Sequence, residues 1–266
     1  MMDMERGYYA LGYMDSLAYG ESFIHRLDAR AKIIATLAFV IVTVSYQKYE
    51  VASLLPLAFY PVLLIAASGV PARYIARKLI FLSPFALMIG LFNPLLDREP
   101  MLGAFGFAIS GGWISFASIM LKFALTASAA LLLISTTSFP AIGEAMVRLR
   151  VPRLFVTQLM FVYRYIFVLI EEAMRMARAR RLRSFRGERL TMAQFTELAG
   201  VLFIRTYERA ERVYQAMLAR NYSGTMSTLG SVSMRPADWA FLVLVLAALA
   251  MIRFYGLTAR IGGAIL

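Results

Sequence analysis

Two short stretches carry side chains suited to recognising a partner at a fixed place: Leu182-Arg183-Ser184 and Ala219-Arg220-Asn221. Each sets one arginine between a small or apolar residue and a turn former, at the end of a segment with helical periodicity. A guanidinium stays charged and holds a carboxylate through two parallel hydrogen bonds. Each arginine could therefore dock into an acidic groove of a partner. The same pattern also reads as an ordinary helix end. Arginine in a last turn suits the macrodipole and can bond orphan carbonyls, and Asn221 tolerates a left-handed cap. Spacing alone leaves both readings open. The helix from Thr191 to Arg220 would be about 45 Å long at 1.5 Å per residue, so the two arginines would need two separate pockets.

Other chemistry is sparse. With no cysteine and only His25 among histidines, the chain has neither a thiolate metal site nor a His-rich one, and no disulfide framework. No GxxxxGK[ST] stretch is present, so ATP hydrolysis would have to belong to another subunit. The glycines of "FRGER" and "SGGW" are too few to cradle phosphates. Asp97 and Glu99 alone do not make a membrane-embedded catalytic centre. Lys122 lies inside an apolar run, where a charge is either functional or paired within a helix bundle. The 16 methionines read as apolar filler.

The elements that must position these residues are mostly apolar. Of the 266 residues, 60% are hydrophobic and 17% charged, against about 25% charged in a soluble domain, and the mean hydropathy is +0.66. Five runs have the length and composition of membrane-spanning helices: 31–46, 51–68, 79–96, 113–136 and 239–256. Pro56, Pro61, Pro84 and Pro94 fall inside them, which membrane helices tolerate when neighbouring groups satisfy the freed carbonyls. A sixth run, 154–170, is long enough but carries Gln158 and Arg164. Orientation bears on it. Arg6, Arg26, Arg30 and Lys32 place the N-terminus in the cytoplasm, and the turn 71–78 returns there after two spans. Were 154–170 a span, the twelve arginines from Arg175 to Arg235 would lie outside, against the positive-inside tendency. The alternatives are a cytoplasmic or interfacial helical block over 137–237 and a sixth span. The net charge of +12 then belongs to the cytoplasmic face of a membrane protein rather than to a nucleic-acid surface. The first residues lack the basic and apolar pattern of a cleaved signal peptide.

Within 137–237, Ser138 and Pro140 open a short helix that "VPR" at 151–153 ends. A long helix follows from about Leu154 to Arg183, then a turn with Gly187 at its centre. Thr191 and Gln194 have capping-box spacing and start a last helix that runs to about Arg220. Its wheel sets Phe203, Tyr207, Ala210, Tyr214, Met217 and Leu218 on one face and Arg205, Glu208, Arg209, Glu211, Arg212 and Gln215 on the other. Glu208 and Arg212 are spaced for an i,i+4 pair.

At this point the chain resembles a known family, the transmembrane T component of energy-coupling factor (ECF) transporters, in its cobalt and nickel branch of CbiQ-type subunits. The resemblance runs over nearly the whole chain. It rests on "HRLDARAK" (25–32), similar to the family's HRLDPR.K pattern, on "TTSFP" (136–140), similar to TTSP, and on "YRYIFVLIEEAMRMARARRLRSF" and "RTYERAERVYQAMLARNYSG", similar to two coupling helices. Departures are Ser184 and Asn221 where glycine is usual, and Ala29 for a common proline. The resemblance implies an all-α membrane protein of about five transmembrane helices plus a cytoplasmic or interfacial block of amphipathic coupling helices. Residues 1–136 would hold the N-terminal segment and four spans, 137–237 the coupling helices, and 238–266 the last span. It further implies a multi-pass protein of the cell (inner) membrane with its N-terminus in the cytoplasm, coupling two ABC-type ATPase subunits to a substrate-binding membrane S component in cobalt import. The docking residues would be Leu182, Arg183, Ser184, Ala219, Arg220 and Asn221. The chain itself would hold no cofactor, hydrolyse no ATP and bind no nucleic acid. Nickel or a vitamin as cargo, a non-ECF membrane scaffold and a membrane-embedded enzyme are the competing readings.

Overall fold

The structure is a computed structural model, and it describes residue 12 and residues 16–96, 100–102, 108–183, 191–222 and 233–254. Helices dominate it. In chain order they are α1 (Phe23–Arg26), α2 (Ala29–Val44), α3 (Val51–Leu54), α4 (Phe59–Ser68), α5 (Ala72–Leu96), α6 (Gly111–Thr136), α7 (Phe139–Arg148), α8 (Arg153–Arg183), α9 (Met192–Ala219) and α10 (Pro236–Phe254). A short antiparallel hairpin of β1 (Pro100–Leu102) and β2 (Ala108–Ser110) pairs Met101 with Ile109 between α5 and α6. The chain divides into two compact units, one of residues 17–138 and 231–266, the other of residues 1–16 and 139–230.

Local rules account for the element boundaries. Asp28 caps α2 by accepting a hydrogen bond from the Arg30 amide at 2.8 Å, and the first turn is satisfied as capping requires. Pro56 sits at the start of a 3₁₀ turn, Leu55–Ala58, that interrupts the second apolar run between α3 and α4. Gly69, at φ +70°, ends α4 in the left-handed conformation that costs glycine nothing. Pro84 lies inside α5 and cannot bond the carbonyl of Ile80 one turn back. The Ser83 hydroxyl donates to that carbonyl at 2.8 Å, which is how a membrane helix accommodates an internal proline.

The first unit is a bundle around α6. Ala31, Ala35 and Phe39 of α2, Leu125 and Ala129 of α6, and Leu242, Val245 and Leu249 of α10 form its core with Leu54 and Leu57. Alanines at the α2–α6 contact let the two backbones approach, the device expected where lipid supplies no hydrophobic drive between helices. α5 lies against α6. A β-carbon on Gly90 would stand 2.8 Å from the Phe116 ring, and Asn93 donates to the Ser115 hydroxyl at 3.2 Å. Phe39 stacks on Tyr60 with ring centroids 4.5 Å apart.

Among the described residues five helices are long and apolar enough to cross a membrane: Val51–Ser68, Ala72–Pro94, Gly111–Thr136, Arg153–Arg183 and Pro236–Phe254. The number matches the sequence reading, but one member differs. The first expected span, 31–46, is realised as the 16-residue α2, about 24 Å long and short of the roughly 30 Å hydrocarbon core. The run 154–170 is part of the unbroken 31-residue α8, which has the length and apolar composition of a span. Residues 72–78, expected as a turn, form the first two turns of α5. Their arginines and lysine are spaced between apolar residues that continue the helical period, so nothing stops the helix before Pro71.

Lys122 finds its partner inside the bundle. Its ammonium donates to the backbone carbonyl of Tyr46, just beyond the end of α2. A lysine at a helix C-terminus satisfies an orphan carbonyl and favours the macrodipole, so this charge is accounted for by structure.

Candidate functional site

The second unit is built on α8 and α9. Phe139 of α7 stacks on Tyr163 of α8 at 4.1 Å between centroids, and a β-carbon on Gly143 would stand 2.9 Å from the Met160 sulfur. α7 ends in a Schellman motif: Arg150 takes φ +69°, and the Val151 and Arg150 amides bond back to Met146 and Val147. Pro152 then prevents continuation, and α8 begins at Arg153, as the "VPR" stretch predicts.

α9 opens with the reciprocal capping box expected from the sequence. The Gln194 amide donates to the Thr191 hydroxyl and the Thr191 amide to the Gln194 side chain. Arg212 and Glu208 form the expected i,i+4 pair at 3.8 Å. The face turned to α8 differs from the wheel by one position. Gln194, Leu198, Leu202, Thr206, Val213 and Met217 are half-buried, and no residue of α9 is fully buried. Phe203, Tyr207, Tyr214 and Leu218 remain exposed. α9 thus carries two apolar stripes, and only one is covered by α8. Phe203 and Tyr207 could not reveal this in the sequence, because a wheel ranks side chains by polarity and cannot say which of two adjacent apolar stripes meets a neighbour.

Two recesses lie between α8 and α9. One, of about 660 Å³, is apolar and lined by Phe161, Tyr165, Leu169, Val213, Met217 and Tyr222 among others. The other, of about 550 Å³, is charged: Arg175, Arg180, Arg183 and Arg205 face Glu172 and Glu197. Glu172 receives Arg205 of α9 at 2.6 Å and Arg175 of its own helix at 3.4 Å. Arg180 reaches Glu197 at 3.4 Å. These pairs pin the two helices across the recess, each worth little alone because they are solvent-exposed.

The structure places the two arginines at two helix ends. Arg183 is the last residue of α8 and Arg220 the C-cap of α9. Both are exposed, and Leu182 beside the first is 84% exposed. Ser184 lies outside the described residues. α9 itself is 28 residues, about 42 Å. The C-terminus of α9 is closed by backbone alone: Asn221 takes φ +56°, its amide bonds to the Leu218 carbonyl at 2.9 Å, and the Tyr222 amide to the Met217 carbonyl at 3.0 Å. This is a complete Schellman motif. The Arg220 guanidinium is not needed for it. Among the described residues neither Arg183 nor Arg220 forms an ion pair. The left-handed cap at Asn221 was legible in the sequence; that the arginine beside it is left free was not.

The cap makes a local prediction. Asn221→Gly should leave amide exchange over Ala219–Tyr222 within a few tenths of a kcal/mol of wild type, because glycine fits φ > 0 without penalty. Asn221→Val should open the same amides by about 1–2 kcal/mol, the cost of a β-branched residue in the left-handed region. Hydrogen exchange on the purified protein reads both.

Comparison with known proteins assigns the chain. A profile of the family described as CbiQ, cobalt transport protein, matches residues 20–232. The energy-coupling factor transporter transmembrane protein EcfT of Exiguobacterium sibiricum is 30% identical over 89% of this chain and 95% of its own length. The cobalt transport protein CbiQ of Salmonella typhimurium is 29% identical over 53% of this chain and 68% of its own. A fused cobalt transport protein, CbiMQ, of Methanocorpusculum labreanum is 33% identical over 47% of this chain, which spans only 21% of that longer protein. The apolar helices make the chain a multi-pass membrane protein, and the match over residues 20–232 makes it a member of the CbiQ family of cobalt transport proteins, the transmembrane component type of energy-coupling factor transporters.

Proposed function

We propose that this chain is the coupling subunit of an ECF-type ABC importer for cobalt ions, and that it carries the motion of two ATPase subunits to a substrate-binding membrane subunit. The observation that carries this reading is that Arg183 and Arg220, at the ends of the two long helices, form no ion pair among the described residues. An exposed guanidinium without an internal partner is available to a carboxylate of another chain. The end of α9 is closed by its own backbone, which sets the place of Arg220 there. Two sites on two helices suit two ATPase subunits. Leu182, Arg183 and the neighbouring Ser184 would meet one, and Ala219, Arg220 and Asn221 the other. The exposed stripe of Phe203, Tyr207, Tyr214 and Leu218 supports the other half of the role, an apolar contact with a membrane partner.

The position of the arginine-rich segment favours an N-terminus in the cytoplasm and the inner membrane as location. ATP hydrolysis belongs to the partner subunits, and the cargo ion to the binding subunit. Nickel is the alternative cargo, since among the described residues no group of three or more His, Asp or Glu side chains is placed to hold a metal ion and choose between the two.

The test is reconstitution. The chain is co-expressed with the ATPase subunits and the metal-type binding subunit, and ATP-driven Co²⁺ uptake is measured in vesicles against Ni²⁺. Co-purification of both ATPases with saturable Co²⁺ uptake is the expected result. An ATPase that assembles with the binding subunit and drives uptake without this chain would overturn the reading.

A further inference from the structure

Residues 137–237 join the helical bundle covalently at two places, after Thr136 and before Asp238. Both places meet in one buried cluster of charge. Lys32, near the start of α2, is 5% exposed. Its ammonium donates to the Thr136 carbonyl at 2.8 Å, in the last turn of α6, and to the His25 carbonyl at 3.3 Å, in the last turn of α1. Asp238 is 3% exposed in the first turn of α10. One carboxylate oxygen accepts the Arg235 amide at 2.7 Å, and the other accepts the Asp28 amide at 2.8 Å, 210 residues away in sequence. Lys32 also lies in the field of Asp238 and Asp28. A cation thus closes the C-terminal end of α6, an anion closes the N-terminal end of α10, and both signs agree with the helix macrodipoles.

Burying a lysine and an aspartate this deeply costs several kcal/mol before their contacts are counted, and an apolar pair would hold the helices together at lower cost. What the charged pair supplies is a directional link. Each bond ends on a backbone group at a helix terminus, so the four termini are held in one register. Lys122 makes the reciprocal contact from α6 to the end of α2, which fixes that helix pair along its length.

We propose that Lys32 and Asp238 form a clamp on the two junctions through which residues 137–237 transmit load to the membrane bundle, and that both are positioning residues for coupling. The inference rests on the coupling reading above. If the coupling block is driven at its far ends, motion that reaches the bundle along the chain passes through Thr136 or Asp238, and a loose junction would dissipate it.

The experiment compares Lys32→Met and Asp238→Asn with wild type in the reconstituted complex. ATPase co-purification, ATP hydrolysis and Co²⁺ uptake are read together. The docking arginines are untouched, so assembly and hydrolysis should stay near wild type, while Co²⁺ taken up per ATP hydrolysed falls by about tenfold or more, within the usual range of a coupling free energy. Hydrogen exchange over Thr136–Ser138 and Arg235–Asp238 should rise in both variants. A residue that only held the fold together would lower yield and melting temperature and leave the ratio unchanged. A wild-type ratio in either recovered variant overturns the clamp. If Lys32→Met is not recovered from the membrane, Asp238→Asn, which keeps shape and one acceptor, decides alone. A wild-type chain that fails to support ATP-driven uptake would instead overturn the coupling reading, and exchange at the two junctions would still report on the clamp.

Discussion

Arg183→Glu and Arg220→Glu are each expected to reduce ATP-driven Co²⁺ uptake by at least about thirtyfold, the usual consequence of breaking a desolvated charge pair at an interface. The double variant should lose ATPase co-purification altogether. The amount of membrane protein should not change, because neither guanidinium supports the fold. Arg220 stands beside a Schellman motif that its side chain does not touch, and Arg183 lies at an exposed terminus. Arg183→Lys and Arg220→Lys should recover only part of the activity, since an ammonium cannot make the two parallel bonds of a guanidinium. Uptake measured in vesicles, with membrane abundance determined in parallel, checks this. Full uptake in both charge-reversed variants would return the arginines to the role of helix-end residues and move the docking surface elsewhere on α8 and α9.

The largest effect on stability is expected at Phe39→Ala. Phe39 is fully buried, stacks on Tyr60 and packs among Ala35, Leu54, Leu57 and Leu125. Truncating a buried phenylalanine costs about 3–5 kcal/mol in soluble cores. In a membrane bundle the helices associate through packing rather than exclusion of water, so the lower end, about 3 kcal/mol, applies. For a chain of this size that lowers the melting temperature by roughly 6–12 °C. Phe81→Ala is the control. Phe81 is 81% exposed on α5, and its truncation should stay within about 0.5 kcal/mol of wild type. Thermal unfolding of the purified proteins in one detergent compares the two. Equal melting temperatures would mean that the α2–α6–α10 core does not limit stability.

Much of the fold was legible because it rests on local rules. The capping box at Thr191 and Gln194, the break at Val151-Pro152, the left-handed Asn221 and the Glu208–Arg212 pair each depend on residues within one or two turns of each other. Apolar runs of span length survive any tertiary arrangement, so five span-capable helices were countable. The lengths of α2 and α8 were not fixed by the same rules. Charge bias in loops suggests which side of a membrane a segment occupies, but it does not set where a helix starts or stops. α2 ends at Val44, two residues before the end of the apolar run, and the Ser45 hydroxyl donates to the Val42 carbonyl there at 3.2 Å. α8 runs on through Gln158 and Arg164 because both side chains are exposed on a helix with no breaker before Arg183.

The membership in a transporter family, the helical class and the places of Arg183 and Arg220 at two helix ends followed from residue order. Three matters were decided only in three dimensions. Which apolar stripe of α9 meets α8 depends on the crossing of the two helices, and no wheel contains that angle. Whether an arginine at a helix end is spent on its own carbonyls depends on whether the backbone closes the cap first, as it does at Asn221. The partnership of Asp28 with Asp238 across 210 residues, and of Lys32 with Thr136, depends on which helix termini the bundle brings together. Those bonds end on backbone amides and carbonyls. Every residue carries the carbonyl and every residue but proline the amide, so the side-chain sequence holds no mark of which one a buried charge will find.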